Sequence, residues 1–332
     1  MTTTNRSVPS PSVLTFGEPL VVLVPDAPGT ITITHQLRPY PAGAELNTAV
    51  GLARLGINSS FVSSVGADPF GQIVLRSGRA EGVDMRFVAQ DPSAPTGVFF
   101  KMWSGLQGKT SVYYYRSASP MAIGHWEPSP QVYIELEAGS WSWVHSTGVT
   151  WMISPDSWRK STDLFKFCHS LSIPVSFDVN VRLKLGTVDE WRKCVHEVLP
   201  YIRWFLLGDE EAQLLFDTDK ATEVEQHIQS YGFTGKGVML KRGEHGAVAS
   251  IRGVVTEVPA WSVSRVVDAV GAGDGYNAGW LAGMLRGWSL KESMRLGSLV
   301  GAFAVTSVGD YEGYPTWPEV VQEMSGKGAV ER

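Results

Sequence analysis

Val267-Asp268-Ala269-Val270-Gly271-Ala272-Gly273-Asp274-Gly275-Tyr276-Asn277-Ala278-Gly279 begins as the tail of an apolar, strand-like run and passes through three small residues to a single carboxylate. It continues into a helical pattern through Trp280, Leu281, Met284 and Leu285. Gly271, Ala272 and Gly273 let backbone come close to a ligand and leave amide donors free. A helix N-terminus there gathers those donors and adds the positive end of the helix dipole, so the turn receives anions. Asp274 beside such a hole would repel the anion. Its presence makes sense as a base that takes a proton from a hydroxyl while the hole holds a phosphoryl group. The competing reading of the same residues is a glycine-rich strand-to-helix turn in which Asp274 is only a cap.

The chain around it has 332 residues, enough for one large α/β domain or two modest ones. Its net charge is -5 and it carries no run of Lys or Arg, which argues against a nucleic-acid partner or an acidic membrane surface. An anionic substrate therefore has to be met by a few placed cations. Cys168 and Cys194 stand in helix-like stretches, outside any CxxC or Cys/His spacing. They are expected as buried thiols, with no disulfide framework, as suits a cytoplasmic protein. Residues 1–12 lack an apolar leader segment and read as a flexible tail. With no run of about 18 apolar residues, no membrane span is expected.

From Val13 onward the pattern alternates strand and helix. Val13 to Glu18 and Leu20 to Val24 read as strand, broken at Gly17-Glu18-Pro19. Thr30 to Thr34 alternates with period two, the mark of a half-exposed strand. A helix starts at Asn47 or a neighbour and stops at Gly56, and another runs from about Phe70 to Ala80. Thr96 to Trp103 and Thr110 to Arg116 form a hairpin around Ser104 to Lys109. With Thr30 to Thr34 this region makes a small antiparallel sheet. It reads as a flap over a site, as a dimer interface, as both, or as an edge extension of the main sheet. Alternation resumes with strands at Trp143 to Ser146, Val175 to Val179, Trp204 to Leu207 and Val238 to Lys241. A hairpin follows around Arg252-Gly253, and a last helical stretch covers Leu290 to Thr306. The expected architecture is a single doubly wound, mostly parallel α/β domain over 13–320, with lid strands from about 28–42 and 94–120 and a tail over 321–332. Ligands of such a sheet sit at the carboxyl ends of its strands, where Asp178, Gly243 and Asp274 are expected.

Asp268 to Asp274 with Ala278-Gly279 resembles the second signature of the ribokinase-like (PfkB) carbohydrate kinases. Asn47, Gly56 and Gly66 fall at the spacing of the first signature. Its opening, Ala42-Gly43-Ala44-Glu45-Leu46-Asn47, is similar to the variant found in 2-keto-3-deoxygluconate kinases. Pro95-Thr96-Gly97, Tyr113 to Arg116, Phe177 to Arg182, Lys241 to Gly246 and Gly309 to Gly313 are further marks, and the resemblance runs from Val13 to Val320. It implies a ribokinase-like fold with a β-sheet lid, through which a homo-oligomer would form. It also implies phosphoryl transfer from ATP with Mg2+, leaves room for a monovalent cation, and implies a sugar acid as acceptor at its 6-hydroxyl.

The same resemblance distributes roles. Asp274 is the base, and Gly271, Ala272 and Gly273 form the anion hole. Gly43, Ala44, Asn47, Phe99, Tyr114, Arg116 and Arg182 meet the sugar acid, the two arginines taking its carboxylate because their fork binds both oxygens. Lys241, Gly243, Gly246, Gly271 and Gly273 meet ATP, and Glu211 organises magnesium through its waters. On residue type alone, either arginine is equally a surface ion pair, Asn47 a helix cap and Tyr113 to Tyr115 strand packing. Three positions depart from the family pattern: Gly208 replaces an asparagine, Ala269 a threonine and Phe99 a tyrosine. A kinase for another sugar, such as fructose or ribose, is the nearest alternative, and a non-catalytic sugar-acid or nucleotide sensor is one of another class. No GxGxxG follows the first strand, which disfavours a dehydrogenase.

Overall fold

A computed structural model describes residues 11–26, 36–104 and 109–325. In chain order its strands are β1 (Ser12–Phe16), β2 (Leu20–Pro25), β3 (Leu37–Ala42), β4 (Asn58–Gly66), β5 (Val88–Asp91), β6 (Val98–Ser104) and β7 (Lys109–Tyr115). They continue as β8 (Trp143–Thr147), β9 (Val175–Asp178), β10 (Trp204–Gly208), β11 (Gly237–Lys241), β12 (Ala247–Ile251) and β13 (Val254–Val258). Nine form one sheet in the order β13-β12-β11-β10-β9-β8-β1-β4-β5. Pairing is parallel from β5 to β11, and β12 and β13 close the far edge as an antiparallel hairpin. The chain winds from β1 out to β5 on one side, then returns to β8 and winds to β13 on the other. The reversal at β1 is the switch point where a crevice opens past the strand ends.

Strand β10 shows why both faces are covered. Trp204 and Leu206 enter one core layer, Phe205 and Leu207 the other. Apolar residues at every position of an alternating strand demand helices on both sides. One layer holds helices Ala44–Arg54, Ala272–Leu285 and Leu290–Ala304, and the other holds Pro155–Ser170 and Val188–Val198. Cys168 and Cys194 are buried free thiols in the second layer, as expected, and burial pushes the Cys168 thiol up to about 12.

The lid is a separate four-stranded sheet, β3-β2-β6-β7. Among the described residues no lid strand pairs with the main sheet, which rules out the edge-extension reading. The chain passes from β1 in one sheet to β2 in the other through Gly17-Glu18-Pro19. The strand expected at Thr30 to Thr34 lies outside the described residues. The sheet's edges are β3 and β7, and Pro39 and Pro41 of β3 are tolerated because an edge needs fewer ladder donors. Phe99 pairs with Tyr114 and Lys101 with Val112 across β6 and β7. These side chains turn toward the domain, while Tyr113 and Tyr115 on the alternate face are exposed.

Some expectations are corrected. No strand precedes Gly271: β13 ends at Val258, and residues 259–270 are irregular. The amides of Val267 and Asp268 both donate to the Val305 carbonyl, just past the Leu290–Ala304 helix, so a helix end replaces the strand neighbour. Asp274 therefore reaches the site from a helix start, whereas Asp178 does end a strand. Helix Ala44–Arg54 starts before Asn47, with Gly43 as its N-cap, so Asn47 lies inside the first turn and caps nothing. Helices Pro130–Glu137, Ala221–Ser230 and Trp317–Met324 escaped the sequence reading, and the boundary expected at 320 falls inside the last of them.

Candidate active site

Two cavities meet past the carboxyl ends of the central strands. One, of about 800 Å³, lies between the strand ends and the lid. The other, of about 750 Å³, lies beside Gly243, Gly246 and Trp261. Lys241, Val266, Ala269 and Gly273 line both, so the start of the Ala272–Leu285 helix is their common wall.

That start has a built shape. Gly271 is the N-cap with φ 85°, a left-handed conformation that favours glycine. A Cβ there would fall 1.8 Å from the Asp310 carbonyl oxygen, so nothing larger fits. The Tyr314 hydroxyl donates to the Gly271 carbonyl at 2.5 Å, and the Asp268 carboxylate accepts the Val270 amide at 3.1 Å. Across the crevice Gly43 has φ 133°, and its Cβ would lie 2.6 Å from the Glu18 carbonyl oxygen. Both loops are held close by residues with no side chain.

Asp274 is buried in the first turn, and Asn47 Nδ2 donates to its Oδ2 at 2.8 Å. Burial pushes its carboxyl up to about 7. The Asn47 hydrogen bond and the Lys241 and Arg182 charges work against the rise, and the Asp178 carboxylate adds to it. A carboxylate at that value changes protonation near neutrality, as a proton acceptor needs. Asp178 Oδ2 accepts from Lys241 Nζ at 2.6 Å and from Asn277 Nδ2 at 2.7 Å. Asp178 Oδ1, Asn47 Oδ1 and Asn277 Oδ1 are buried without a partner among the described residues. Orphaned acceptors in a buried cluster beside two cavities mark a binding site more than a packed core.

The lid side is organised differently. Arg116 pairs with the buried Glu18 carboxylate, which also accepts from the Ser119 hydroxyl. Burial pushes the Glu18 carboxyl up against the pull of Arg116 and Ser119. The guanidinium also lies 5.6 Å from the centre of the Tyr114 ring, which packs 5.1 Å from Phe99. Arg116 and Arg182 do line one cavity, as expected, but Arg116 already has a carboxylate partner. Arg182 donates to the Val181 carbonyl and makes no ion pair among the described residues. Lys184 in the same loop donates to the Val112 carbonyl of β7 at 2.9 Å, docking this loop on the lid.

Glu211 lines the first cavity, with its two oxygens accepting the amides of Val181 at 2.6 Å and Gly208 at 2.7 Å. Gly208, which stands where the resemblance expects asparagine, serves here as the N-cap of helix Asp209–Phe216. Gly243 and Gly246 line the second cavity with Ala272 and Gly273. Gly43, Ala44, Asn47, Phe99 and Tyr114 all line the first. The sequence reading missed Glu18, Asn277 and Lys101. Lys101 had a signal, a lone charge in the apolar run Val98-Phe99-Phe100-Lys101-Met102.

A glycine-built helix start, a buried carboxylate raised toward neutrality beside it and cavities on either side suit a phosphotransferase acting on a small hydroxylated acceptor. The chain belongs to the pfkB family of carbohydrate kinases, whose sequence model matches residues 10–317. It is 29% identical over 319 residues to the 2-dehydro-3-deoxygluconokinase of Bacillus subtilis, covering 96% of each chain. It is also 29% identical to a fructokinase of Escherichia coli, covering 95% of this chain and 99% of that one. An uncharacterised sugar kinase of Pyrococcus horikoshii, solved in complex with ATP, superposes with a TM-score of 0.78 at 25% identity, covering 93% of this chain and 97% of its own. The ribokinase-like fold implied by the sequence is the one the chain has. Among the described residues no helix is long and apolar enough to cross a membrane.

Proposed function

We propose that the protein is an ATP-dependent sugar-acid kinase that phosphorylates the 6-hydroxyl of 2-keto-3-deoxygluconate. The observation that carries this reading is Asp274, buried and half-ionised near neutrality, at the wall between a cavity under the lid and one beside the Gly243 to Gly246 turn. The lid cavity takes the sugar acid, and the other takes ATP. Asp274 accepts the proton of the attacking hydroxyl as that oxygen bonds to the γ-phosphorus and the bond to the β-phosphate oxygen breaks. The amides that begin the Ala272–Leu285 helix hold the charge on the transferring group, and Lys241 adds a cation at the same wall.

The cations of the lid cavity support an acid as acceptor. Arg116 is paired with Glu18 and Lys241 with Asp178, whereas Arg182 makes no ion pair among the described residues. Its charge reaches Asp274, and its guanidinium is the one open to a substrate carboxylate. For magnesium, no cluster of three or more His, Cys, Asp or Glu side chains suited to an ion exists among the described residues. That fits an ion bound mainly through phosphates and water, with Glu211, which lines the lid cavity, available to those waters. When bound, the ion neutralises phosphate charge.

The fructokinase relative, at the same identity, supports a second reading with a neutral sugar as acceptor. An ATP-consumption screen over sugars and sugar acids separates the two, with 2-keto-3-deoxygluconate and its galactose-derived epimer on the panel. The expected result is turnover on these acids well above that on fructose or ribose. A preference for neutral hexoses would replace the first reading by the second, and no turnover on any acceptor would leave the sensor.

A further inference from the structure

Lys101 is an unusual residue for a lid strand. Its side chain is fully buried, and its ammonium lies 2.5 Å from Asp268 Oδ2 and 3.1 Å from Asp310 Oδ1. Burial opposes its charge, but the two carboxylates outweigh that and hold it above the ordinary lysine value. Asp268 belongs to the loop that leads into the Ala272–Leu285 helix, and Asp310 lies against it from the turn after the Leu290–Ala304 helix. Asp268 accepts the Val270 amide, and the Asp310 backbone abuts Gly271 so closely that no Cβ fits between them. Asn47, which donates to Asp274, also favours the charged form of the Asp310 carboxyl. One ammonium on β6 thus ends a chain of contacts that runs through both flanks of the anion-receiving turn to the base. It also sits between the Asp268 and Asp310 carboxylates, so the residues there do not fit a separate monovalent cation.

We propose that Lys101 is a built-in cation that fastens the lid sheet to the catalytic loop and holds that loop in its anion-receiving shape. It touches neither cavity, so it acts as a positioning residue through Asp268 and Asp310. Without its charge, two buried carboxylates face each other unneutralised and must separate, protonate or recruit a cation. Any of these moves Val270 and Gly271. Because the ammonium is covalently part of β6, the turn is complete only with the lid strand seated on it.

The activity arm of the test rests on the kinase reading, and the exchange arm does not. In the full-length protein, Lys101→Met is compared with Lys101→Met/Asp268→Asn, which removes the ammonium together with one of the two carboxylates. For Lys101→Met, amide hydrogen exchange across 266–274 should speed up at least about tenfold, and kcat should fall about a hundredfold with the KM for ATP within about threefold. The double variant should regain thermal stability but not kcat, since charge balance returns without the bridge. The wild type should turn over equally in sodium and potassium buffers. Unchanged exchange in Lys101→Met overturns the proposal, as does a double variant that recovers kcat with its stability. So does a wild-type rate that rises severalfold in potassium. If the wild type phosphorylates nothing on the panel, the kinase reading falls, and exchange still decides the role of Lys101.

Discussion

The floor of the lid cavity and its roof use charge in opposite ways. On the floor, Asp274, Asp178 and Lys241 stand on strand ends and a helix start, and Asp178 Oδ1 with the neighbouring Asn47 and Asn277 Oδ1 is unpaired among the described residues. On the roof, Arg116 is consumed by Glu18 and Lys101 by two aspartates, so charge there fixes geometry. The two lysines show the contrast most directly. Lys241 pairs with one carboxylate and borders both cavities, whereas Lys101 pairs with two and borders neither. A cation with one partner and an open side can turn to a phosphate, and a sealed one only holds its neighbours. Asp274 and Lys241 on the floor should therefore govern kcat directly, Tyr114 on the roof the KM of the acceptor, and Lys101 kcat only through the turn it holds.

The sharpest break of that division is Asp274→Asn. It should lower kcat about a thousandfold or more, with both KM values within a few fold, measured by ATP consumption. In the wild type, kcat/KM should fall about tenfold per pH unit below about 7 and level off above it, because the base must be ionised. Stability should run the other way. A carboxyl raised from 3.8 to about 7 contributes fully below its unfolded value and loses that contribution as pH rises through about 7. Asp274→Asn should thus melt higher than wild type at pH 8, by on the order of 4 kcal/mol at most, and the gap should shrink at pH 5. A variant of unchanged kcat would remove the base from the floor altogether.

The floor was largely legible in the sequence and the roof was not, for a physical reason. Strand ends follow from apolar runs such as Trp204 to Leu207, and Gly271 to Asp274 signals a helix start through residue type alone. The partners on the roof are far apart in the chain: Lys101 with Asp268 and Asp310, Arg116 with Glu18. Periodicity says which face of β6 Lys101 is on, but not which carboxylates await it. The same limit explains why the lid strands expected from about 28–42 and 94–120 leave out β2, since nothing in Gly17-Glu18-Pro19 tells that the chain changes sheets there. The strand expected before Gly271 failed because Val266 and Val267 look like a strand in composition, while the Val305 carbonyl takes the amides of Val267 and Asp268 in place of a strand ladder.

Lys241→Met tests the open side of the floor. It should lower kcat about a hundredfold, and its kcat/KM profile should shift to higher pH, because Lys241 helps hold the Asp274 carboxyl down. A lower rate with an unshifted profile would confine Lys241 to phosphate contact. Arg182→Gln comes next. It should raise the KM for the sugar acid roughly tenfold to a hundredfold, as loss of one charge-assisted pair does, and leave the KM for ATP nearly unchanged. An unchanged KM for the acid would sink Arg182 as the carboxylate's partner and move that role back toward Arg116.

The smallest effect should come from Tyr114→Phe, and it bears most on the roof. The Tyr114 ring is held by Phe99 on one side, and Arg116 and Lys184 approach it within 5.6 Å and 5.8 Å. Phenylalanine keeps those contacts and removes only the hydroxyl, so stability should stay within about 0.5 kcal/mol of wild type. One neutral hydrogen bond to the acceptor is worth about 1 kcal/mol, so the KM for the sugar acid should rise about fivefold with kcat almost unchanged. If kcat falls more than KM rises, the Tyr114 hydroxyl acts on the transition state, and the roof takes part in the chemistry that the floor is held to own.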